Sequence, residues 1–311
     1  MKVDPASLAP IAVVAFNRPI ALKNALTSLA QNPLAENSDL FVFVDGPRES
    51  RPGEEEKVKN VISVAEAATG FKSVTVKSNE QNKGLSKSVI GAATQLLNQY
   101  GKVIVVEDDL FLSPSFLTYM NTMLQTFEQD ARIMQVTGYC SKFQMPKSYK
   151  WDVFLNRRAN SWSWGTWKDR WETVDWEVKD YDNLVADRKK RRDFNAYGSG
   201  LFNMLKGWKT GKNDSWYIRF NYAMFKQNRF AVYPKQSLVR NDGFTSEATN
   251  CKGYNRFKIN FLEEYKSEWL IPQDLKWNKR INKRAVRRST IPYRIYGKFM
   301  TAFYKTFKIG K

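Results

Sequence analysis

Three consecutive acids, Glu107, Asp108 and Asp109, directly follow an apolar run at residues 103–106. Burying three carboxylates at the end of a strand is costly unless a positive charge neutralises them. A divalent cation would supply that charge, and a diphosphate would complete its coordination. The alternative is a solvated acidic turn. Because the chain has no histidine, zinc sites and histidine-based catalysis are excluded. Oxygen ligands remain, and they favour Mn²⁺ or Mg²⁺.

The first 130 residues alternate between strand-like and helix-like patterns. Apolar runs at residues 11–16, 40–44, 73–76 and 102–106 predict four strands, and apolar residues recur at helical spacing between them. This alternation predicts an α/β fold with a mostly parallel central sheet flanked by helices. Such sheets bind ligands beyond the carboxyl ends of their strands, where the acidic triplet falls.

Polar residues follow the other predicted strands as well. Arg18 lies just before a helix, where it suits a phosphate, and Asp45 is placed to accept hydrogen bonds from a base or ribose. Lys83 and Gly84 follow the third strand, where glycine permits close approach of a ligand to the backbone. Each of these is also compatible with an ordinary cap or turn.

Four segments in this order resemble the GT-A fold glycosyltransferases. They are IAVVAFNRP (11–19), FVFVDG (41–46), NEQNKGLS (79–86) and VVEDDLFLSPSFLTYM (105–120). Within that fold the chain is most similar to the N-acetylglucosaminyltransferase I-like group and its bacterial relatives. The similarity is good over residues 10–130 and loose over 131–250.

The resemblance implies a nucleotide-diphosphate sugar, with uridine the expected nucleoside, as donor. It implies that Asp109 binds Mn²⁺ (or Mg²⁺) and that Glu107 and Asp108 contact the ribose or the donor sugar. The remaining donor contacts that it implies are Arg18 and Asp45 with the uridine diphosphate, and Lys83 and Gly84 near the nucleotide.

The second half of the chain is rich in tryptophan, with eight between residues 151 and 216. Segment 160–172 resembles the acceptor-side loop of bacterial members, so Trp162 and Trp164 are expected to form a platform for an acceptor sugar. Asp169 and Arg170 would bond its hydroxyl groups. Core packing is the competing interpretation, because tryptophan is usually largely buried.

Segment 211–220, GKNDSWYIRF, is similar to a family motif that supplies the catalytic base. That similarity makes Asp214 the base and puts Asn213 where the family has an acid. A later segment, residues 239–250, matches one that normally ends near a histidine, which this chain lacks. Asp242 in that segment is a second candidate as ligand or base. One base without a covalent nucleophile implies inversion at the anomeric carbon.

The charge of +19 is unevenly distributed. Residues 276–311 hold 12 of the 50 Lys and Arg residues and no acid, which leaves a balance of only +7 for residues 1–275. Apolar residues spaced by four from Ile291 to Phe307 predict a cationic amphipathic helix suited to an anionic membrane surface. Packing of this helix on the catalytic domain is the alternative. We therefore expect three regions: a nucleotide-sugar-binding half (1–130), an acceptor-side half (131–275) and a basic tail (276–311).

Two other functional classes fit parts of the sequence. A nucleic-acid binder would account for the charge but not for the acidic triplet, and a nucleotidyltransferase would need a glycine-rich loop after the first strand. We therefore expect an enzyme with a glycan or lipid-linked acceptor and no nucleic-acid partner. No apolar run approaches the ~20 residues of a membrane span. Cys140 and Cys251 are expected to be free thiols, although pairing is an alternative, in a cytoplasmic protein peripheral on the inner face of the cell membrane.

Overall fold

The computed structural model describes residues 3–242 and 258–307, and an eight-stranded sheet forms its centre. Four parallel strands make up one half: β1 (Ile11–Ala15), β2 (Asp39–Val44), β3 (Ser73–Ser78) and β4 (Lys102–Glu107). Short β5 (Leu110–Leu112) follows β4 outside this sheet. The other half contains β6 (Ile133–Thr137), β7 (Val153–Asn156), β8 (Trp164–Trp167) and β9 (Phe230–Pro234). The strand order is β3-β2-β1-β4-β8-β6-β9-β7, with β8 antiparallel to both of its neighbours and β7 antiparallel to β9.

The helices between the parallel strands begin close to where the sequence pattern predicts them. They are α1 (Pro19–Ala30), α2 (Glu54–Glu66), α3 (Leu85–Tyr100) and, after β5, α4 (Phe116–Thr126). Pro19 occupies the first position of α1, where its missing N–H would in any case have no helical partner. Gly84 precedes α3 with φ of 82°, and Gly101 ends that helix in the left-handed region. The predicted mostly parallel α/β sheet is confirmed.

The two faces of the sheet bury different helices. On one face the apolar sides of α1, α2 and α4 pack on alternate residues of the parallel strands, among them Ile11, Val42 and Ile104. On the other face α3 packs on the intervening residues, such as Ala12 and Val105. Burial on both faces explains why these strands read as unbroken apolar runs.

The second half of the chain adds helices to the face that carries α3. They are α5 (Lys168–Trp171), α6 (Tyr181–Ala186), α7 (Arg188–Asn195), α8 (Leu201–Lys209) and α9 (Trp216–Lys226). Helix α9 lies between two apolar clusters: Phe220 packs towards the sheet, while Ile218 and Tyr222 pack towards α6–α8. Strand β10 (Val239–Asn241) pairs antiparallel with β5 at the carboxyl edge of β4.

The basic tail consists of two parts with different environments. Helix α10 (Lys279–Ala285) and the 3₁₀ turn Val286–Ser289 pack on the body, with Ile281 and Val286 buried. Helix α11 (Ile291–Phe307) follows, and its residues Ile291, Ile295 and Phe299 are 58–64% exposed. Within the described part of the chain, no helix is both long and apolar enough to span a membrane. Cys140 is a buried free thiol, and Cys251 lies outside the described residues.

Candidate active site

The acidic triplet and Arg18 meet at the carboxyl edge of neighbouring strands. Strands β1 and β4 pair in parallel with Val14 opposite Glu107, so the residues after each strand emerge side by side. The guanidinium of Arg18 bridges two carboxylates: Nη1 donates to Asp109 Oδ2 at 2.9 Å, and Nη2 donates to Asp108 Oδ1. Both carboxylates are largely shielded from solvent, since their side chains are 11% and 4% exposed.

Burial dominates the electrostatics of the triplet. Burial and the neighbouring carboxylates raise the pKa of Glu107 well above its usual range, although Arg18 opposes the shift. Burial also raises the pKa of Asp108 to about 6, with Arg18 again opposing. For Arg18 itself burial lowers the pKa, but Asp108 and Asp109 outweigh it, so that the pKa is raised. One guanidinium therefore only partly compensates three acids.

The residues of this edge fit a divalent cation. Asp108 Oδ2 is buried without a hydrogen-bond partner, and every candidate ligand is a carboxylate oxygen, the donor type that Mn²⁺ and Mg²⁺ prefer. The described residues contain no group of three or more acidic or cysteine side chains arranged to enclose a metal. A cation at Asp109 would therefore need further oxygen ligands, of the kind that a diphosphate provides.

Asn241 faces this edge instead of Asp242, and it was not among the residues predicted from the sequence. Its Nδ2 lies 3.4 Å from Asp109 Oδ1, and the pairing of β10 with β5 holds it there. The carboxylate of Asp242 is 51% exposed and is paired with Arg240 at 2.7 Å. Only the backbone N–H of Asp242 contacts the triplet, at 3.0 Å from the carbonyl of Asp109. Residues 243–250 of this segment lie outside the described residues.

Asp45 and the segment around Gly84 form a second wall. The Asp45 carboxylate accepts hydrogen bonds from the backbone N–H groups of Gly46, Lys83 and Gly84, and from the amide of Asn79 at 3.3 Å. These bonds pin the loop before α3, which is a structural task beside the expected contact with a base or ribose. The Lys83 side chain is exposed and donates to Asn79, so Lys83 enters this wall through its backbone.

An ion pair between the buried Glu54 and the partly exposed Arg48 supports the loop that carries Arg18. Glu54 accepts hydrogen bonds from Asn17 Nδ2 at 2.9 Å and from the backbone and side chain of Arg48. The hydrogen bond from Arg48 lowers the pKa of Glu54 to about 2. The Arg48 guanidinium also lies 5.3 Å from the ring of Phe16. Glu54 could not be singled out from its residue type and position, because a helix that starts with three glutamates looks like an ordinary first turn.

A cavity of ≈ 670 Å³ joins these walls to the segment before α9. Arg18, the acidic triplet, Asp45, Gly84 and Asp214 all line it. Asp214 is exposed, and its Oδ2 lies 3.5 Å from the position that a Cβ on Gly84 would occupy. The neighbouring Asn213 donates from Nδ2 to the carbonyl of Met204 at 3.1 Å. A carboxylate could not make that bond, which explains an amide where the family has an acid.

Of the four residues expected at the acceptor side, only Trp162 lines the cavity. It is half-buried and packs edge-on against Tyr139 at 4.7 Å. Ser163 follows with φ of 58°, in the left-handed region. The chain turns there, so that the next side chain, Trp164, is buried in the core instead of lining the cavity. Tyr217 also lines the cavity and was missed, because an aromatic beside the motif reads as core.

The expectation for Trp164, Asp169 and Arg170 was wrong. Trp164 is fully buried and stacks on Trp171 at 5.5 Å in the core beneath α9. Strand β8 runs antiparallel to β4, so it carries Asp169 and Arg170 to the amino end of β4, away from the cavity. There the buried Arg170 bonds Asp169 and the carbonyl of Glu128.

One family model matches the chain. The model of the GNT-I family matches residues 2–159, about half of the chain, so the chain belongs to the GNT-I family. No curated protein matches the sequence significantly.

Solved structures resemble the chain at low identity. The Pyrobaculum calidifontis mannosyltransferase PcManGT, solved with GDP-Man and Mn²⁺, has 13% identity and a TM-score of 0.35, over 56% of this chain and 48% of that one. TarS from S. aureus has 12% identity and a TM-score of 0.39, over 75% and 60%. Glucosyl-3-phosphoglycerate synthase from Mycobacterium tuberculosis, with Mn²⁺ and UDP, has 14% and 0.32, over 55% and 60%. This chain thus spans about half to three fifths of their length.

Proposed function

We propose that the protein is an inverting, metal-dependent glycosyltransferase that uses a nucleotide-diphosphate sugar, with UDP-sugar as the first candidate. One observation carries the proposal: a single cavity of ≈ 670 Å³ is lined by a buried acidic triplet, by a guanidinium and by a separate exposed carboxylate. The first two suit a metal diphosphate, and the third suits the proton of an acceptor hydroxyl.

On the donor side Asp109 would hold the cation, and Asp108 and Glu107 would contact the ribose or donor sugar. Arg18 lies within hydrogen-bond reach of the same carboxylates, so its guanidinium is available to a diphosphate bound there. The loop that Asp45 pins brings the backbone of Lys83 and Gly84 towards the nucleotide. When bound, the cation would stabilise the negative charge that develops on the departing diphosphate.

On the acceptor side Asp214 is the proposed base. Its carboxylate takes the proton of the acceptor hydroxyl while that oxygen bonds to the anomeric carbon and the bond from this carbon to the diphosphate breaks. A direct displacement of this kind inverts the anomeric configuration. Trp162 and Tyr217 would present flat apolar faces to the acceptor sugar, and Lys212 lines the same rim. The acceptor class is a glycan or a lipid-linked glycan.

We assign an anionic membrane surface as a further partner through the tail. Helix α11 exposes Ile291, Ile295 and Phe299, and positive residues precede it on α10 and its flanks. The exposed cations there are Lys276, Lys279, Arg280, Lys283, Arg284 and Arg287. Each is worth ~1 kcal/mol near an anionic leaflet, and buried rings add apolar contact. The protein would then act as a peripheral enzyme on the cytoplasmic face of a membrane.

The donor assignment is tested by hydrolysis of a panel of UDP- and GDP-sugars with Mn²⁺, with Mg²⁺ and with a chelator. We expect one donor to be hydrolysed only with metal, and its α-linked sugar to be released first as the β anomer, observed by NMR. Asp214→Asn is the matched control, because it should bind the nucleotide normally but lose roughly 10²–10⁴-fold in turnover. Release of the α anomer, or metal-independent turnover, would contradict the proposal.

A further inference from the structure

Arg219 is a buried guanidinium one turn into α9, and it is not among the residues that line the cavity. Its side chain is 9% exposed and lies between the rings of Trp176 and Trp208, at 5.5 and 5.0 Å from their centres. Nε donates to the carbonyl of Ser215 at 3.3 Å, and Nη1 donates to the carbonyl of Trp176 at 3.2 Å. The side chain is therefore held in one orientation by α9 and by the chain before α6.

The remaining nitrogen of Arg219 connects the segment of Asp214 to helix α3. Nη2 donates to the hydroxyl of Ser86, in the first turn of α3 and two residues after Gly84. The same nitrogen lies 3.9 Å from Asp214 Oδ1. Within 4.0 Å, and among the residues that the structure describes, Asp214 is the only carboxylate paired with this guanidinium.

A buried cation without a close counter-charge is unfavourable, so the position of Asp214 matters to Arg219 as well. Burial lowers the pKa of Arg219, whereas Asp214 and, more weakly, Glu177 raise it. Asp214 is 58% exposed and its backbone precedes the N-cap Ser215, whose hydroxyl accepts from Ile218 N–H. Nothing else in these contacts fixes the direction of the Asp214 carboxylate.

We propose that Arg219 is the positioning residue of the catalytic base: anchored on Ser86 and Trp176, it aims the Asp214 carboxylate into the cavity beside Gly84. This rests on the proposed role of Asp214. Arg219 itself touches neither donor nor acceptor.

The experiment is a double-mutant cycle on metal-dependent hydrolysis of the best UDP-sugar, with Arg219→Met and Asp214→Asn. We expect Arg219→Met to lower kcat roughly 10–100-fold, the cost of a misplaced catalytic group, with the donor KM nearly unchanged. Arg219→Lys should recover part of kcat. In the Asp214→Asn background, Arg219→Met should cause no further loss. Lys226→Met, which removes a paired cation at the other end of α9, is the matched control and should behave as wild type.

Each other outcome overturns the inference. If Arg219→Met has a wild-type kcat while Asp214→Asn is impaired, the positioning role of Arg219 is refuted but the role of Asp214 as base stands. If the two reductions in kcat multiply in the double variant, Arg219 and Asp214 act independently and Arg219 does not position the base. A wild-type rate for Asp214→Asn would refute the base and, with it, this inference. If Arg219→Met does not fold, Ser86→Ala takes its place in the cycle, because it removes only the anchor of Nη2.

Discussion

Arg18 Nη1 lies 2.9 Å from Asp109 Oδ2, although 91 residues separate the two in the chain. The parallel pairing of β1 with β4 creates this proximity, because the turn after each strand emerges at the same edge. A single side chain thus neutralises the carboxylate proposed to bind the metal. The guanidinium and a divalent cation would compete for the same oxygen.

Competition of this kind predicts an unusual phenotype for Arg18→Met. We expect the variant to bind Mn²⁺ more tightly than wild type without nucleotide, by roughly tenfold, because one competing charge is removed. UDP should bind the variant more weakly, since a phosphate partner is lost. Electron paramagnetic resonance of free Mn²⁺ measures the first effect, and calorimetry measures the second. Arg18→Lys keeps the charge and serves as control, and weaker Mn²⁺ binding by Arg18→Met would contradict the competition.

Asp109→Asn tests the metal ligand itself. The amide has the shape of the carboxylate but lacks its charge, so we expect metal-dependent hydrolysis to be abolished while the fold is kept. Turnover of the variant is measured at saturating donor and limiting metal. Circular dichroism checks that the fold is kept. Asp242→Asn is the matched control, because that carboxylate is paired with Arg240 and half exposed. Near-wild-type turnover of Asp109→Asn would refute the assignment.

The sequence predicted this edge well because its signals are local. An apolar strand that ends in Glu107 is visible in the residues themselves, and the parallel topology then brings Arg18 and the triplet together. The acceptor side was harder to predict. Strand β8 runs antiparallel to β4, and that direction reverses which end of the segment faces the cavity. No spacing in the sequence encodes strand direction, and the structure has Trp162 lining the cavity but Asp169 away from it.

The pH dependence of stability distinguishes burial from ion pairing at Asp108. Burial raises the folded-state pKa of Asp108 to about 6, above the ~3.9 of an unfolded chain. Because the folded protein holds this proton more tightly than the unfolded chain does, protonation of Asp108 stabilises the fold. This contribution is fully present below about pH 4 and is lost as the pH rises through about 6. Without metal, wild type should therefore lose up to about 3 kcal/mol relative to Asp108→Asn over this interval.

Urea unfolding in chelator at a series of pH values measures the difference between the two proteins. Added Mn²⁺ should restore part of the wild-type loss at pH 7. If wild type instead gains on Asp108→Asn as pH rises, Arg18 dominates over burial and the pKa of Asp108 is lowered.

Substitutions of Trp162 and Trp164, which are two residues apart, should affect different properties: function in one case and stability in the other. Trp164→Ala should cost about 3–5 kcal/mol of stability, because its ring fills the core between Trp171 and Trp216. Trp162→Ala should unfold at nearly the wild-type denaturant concentration but transfer sugar poorly, with an increased acceptor KM. Chemical denaturation measures the first effect, and transfer kinetics measure the second once an acceptor is known. Equal losses of stability in both variants would show that Trp162 is a core residue and not a contact for the acceptor sugar.

The part of the tail that can be removed without destabilising the body should begin after residue 290 rather than after residue 275. Removal of residues 276–311 deletes Ile281, which is buried, and Asn282, whose Oδ1 accepts from the backbone of Arg157 and from Trp277. We therefore expect that truncation to destabilise the body by several kcal/mol, of the order of a lost core residue and its hydrogen bonds. Removal of residues 291–311 deletes only the exposed helix α11, and should leave the unfolding midpoint and donor hydrolysis close to wild type.

Liposome binding tests the function of the same helix. Full-length protein should bind anionic vesicles in a way that weakens with salt, because the Debye length falls from ~10 Å at 0.1 M to ~3 Å at 1 M. The form that ends at residue 290 should lose much of this binding. Phe299→Ser with Phe303→Ser separates the apolar part, since it removes exposed ring area without changing charge. It should weaken binding at all salt concentrations, whereas neutral vesicles should bind neither protein. Unchanged binding by the truncated form would show that α11 does not bind the membrane. A truncated form that unfolds would show that α11 packs on the catalytic body instead.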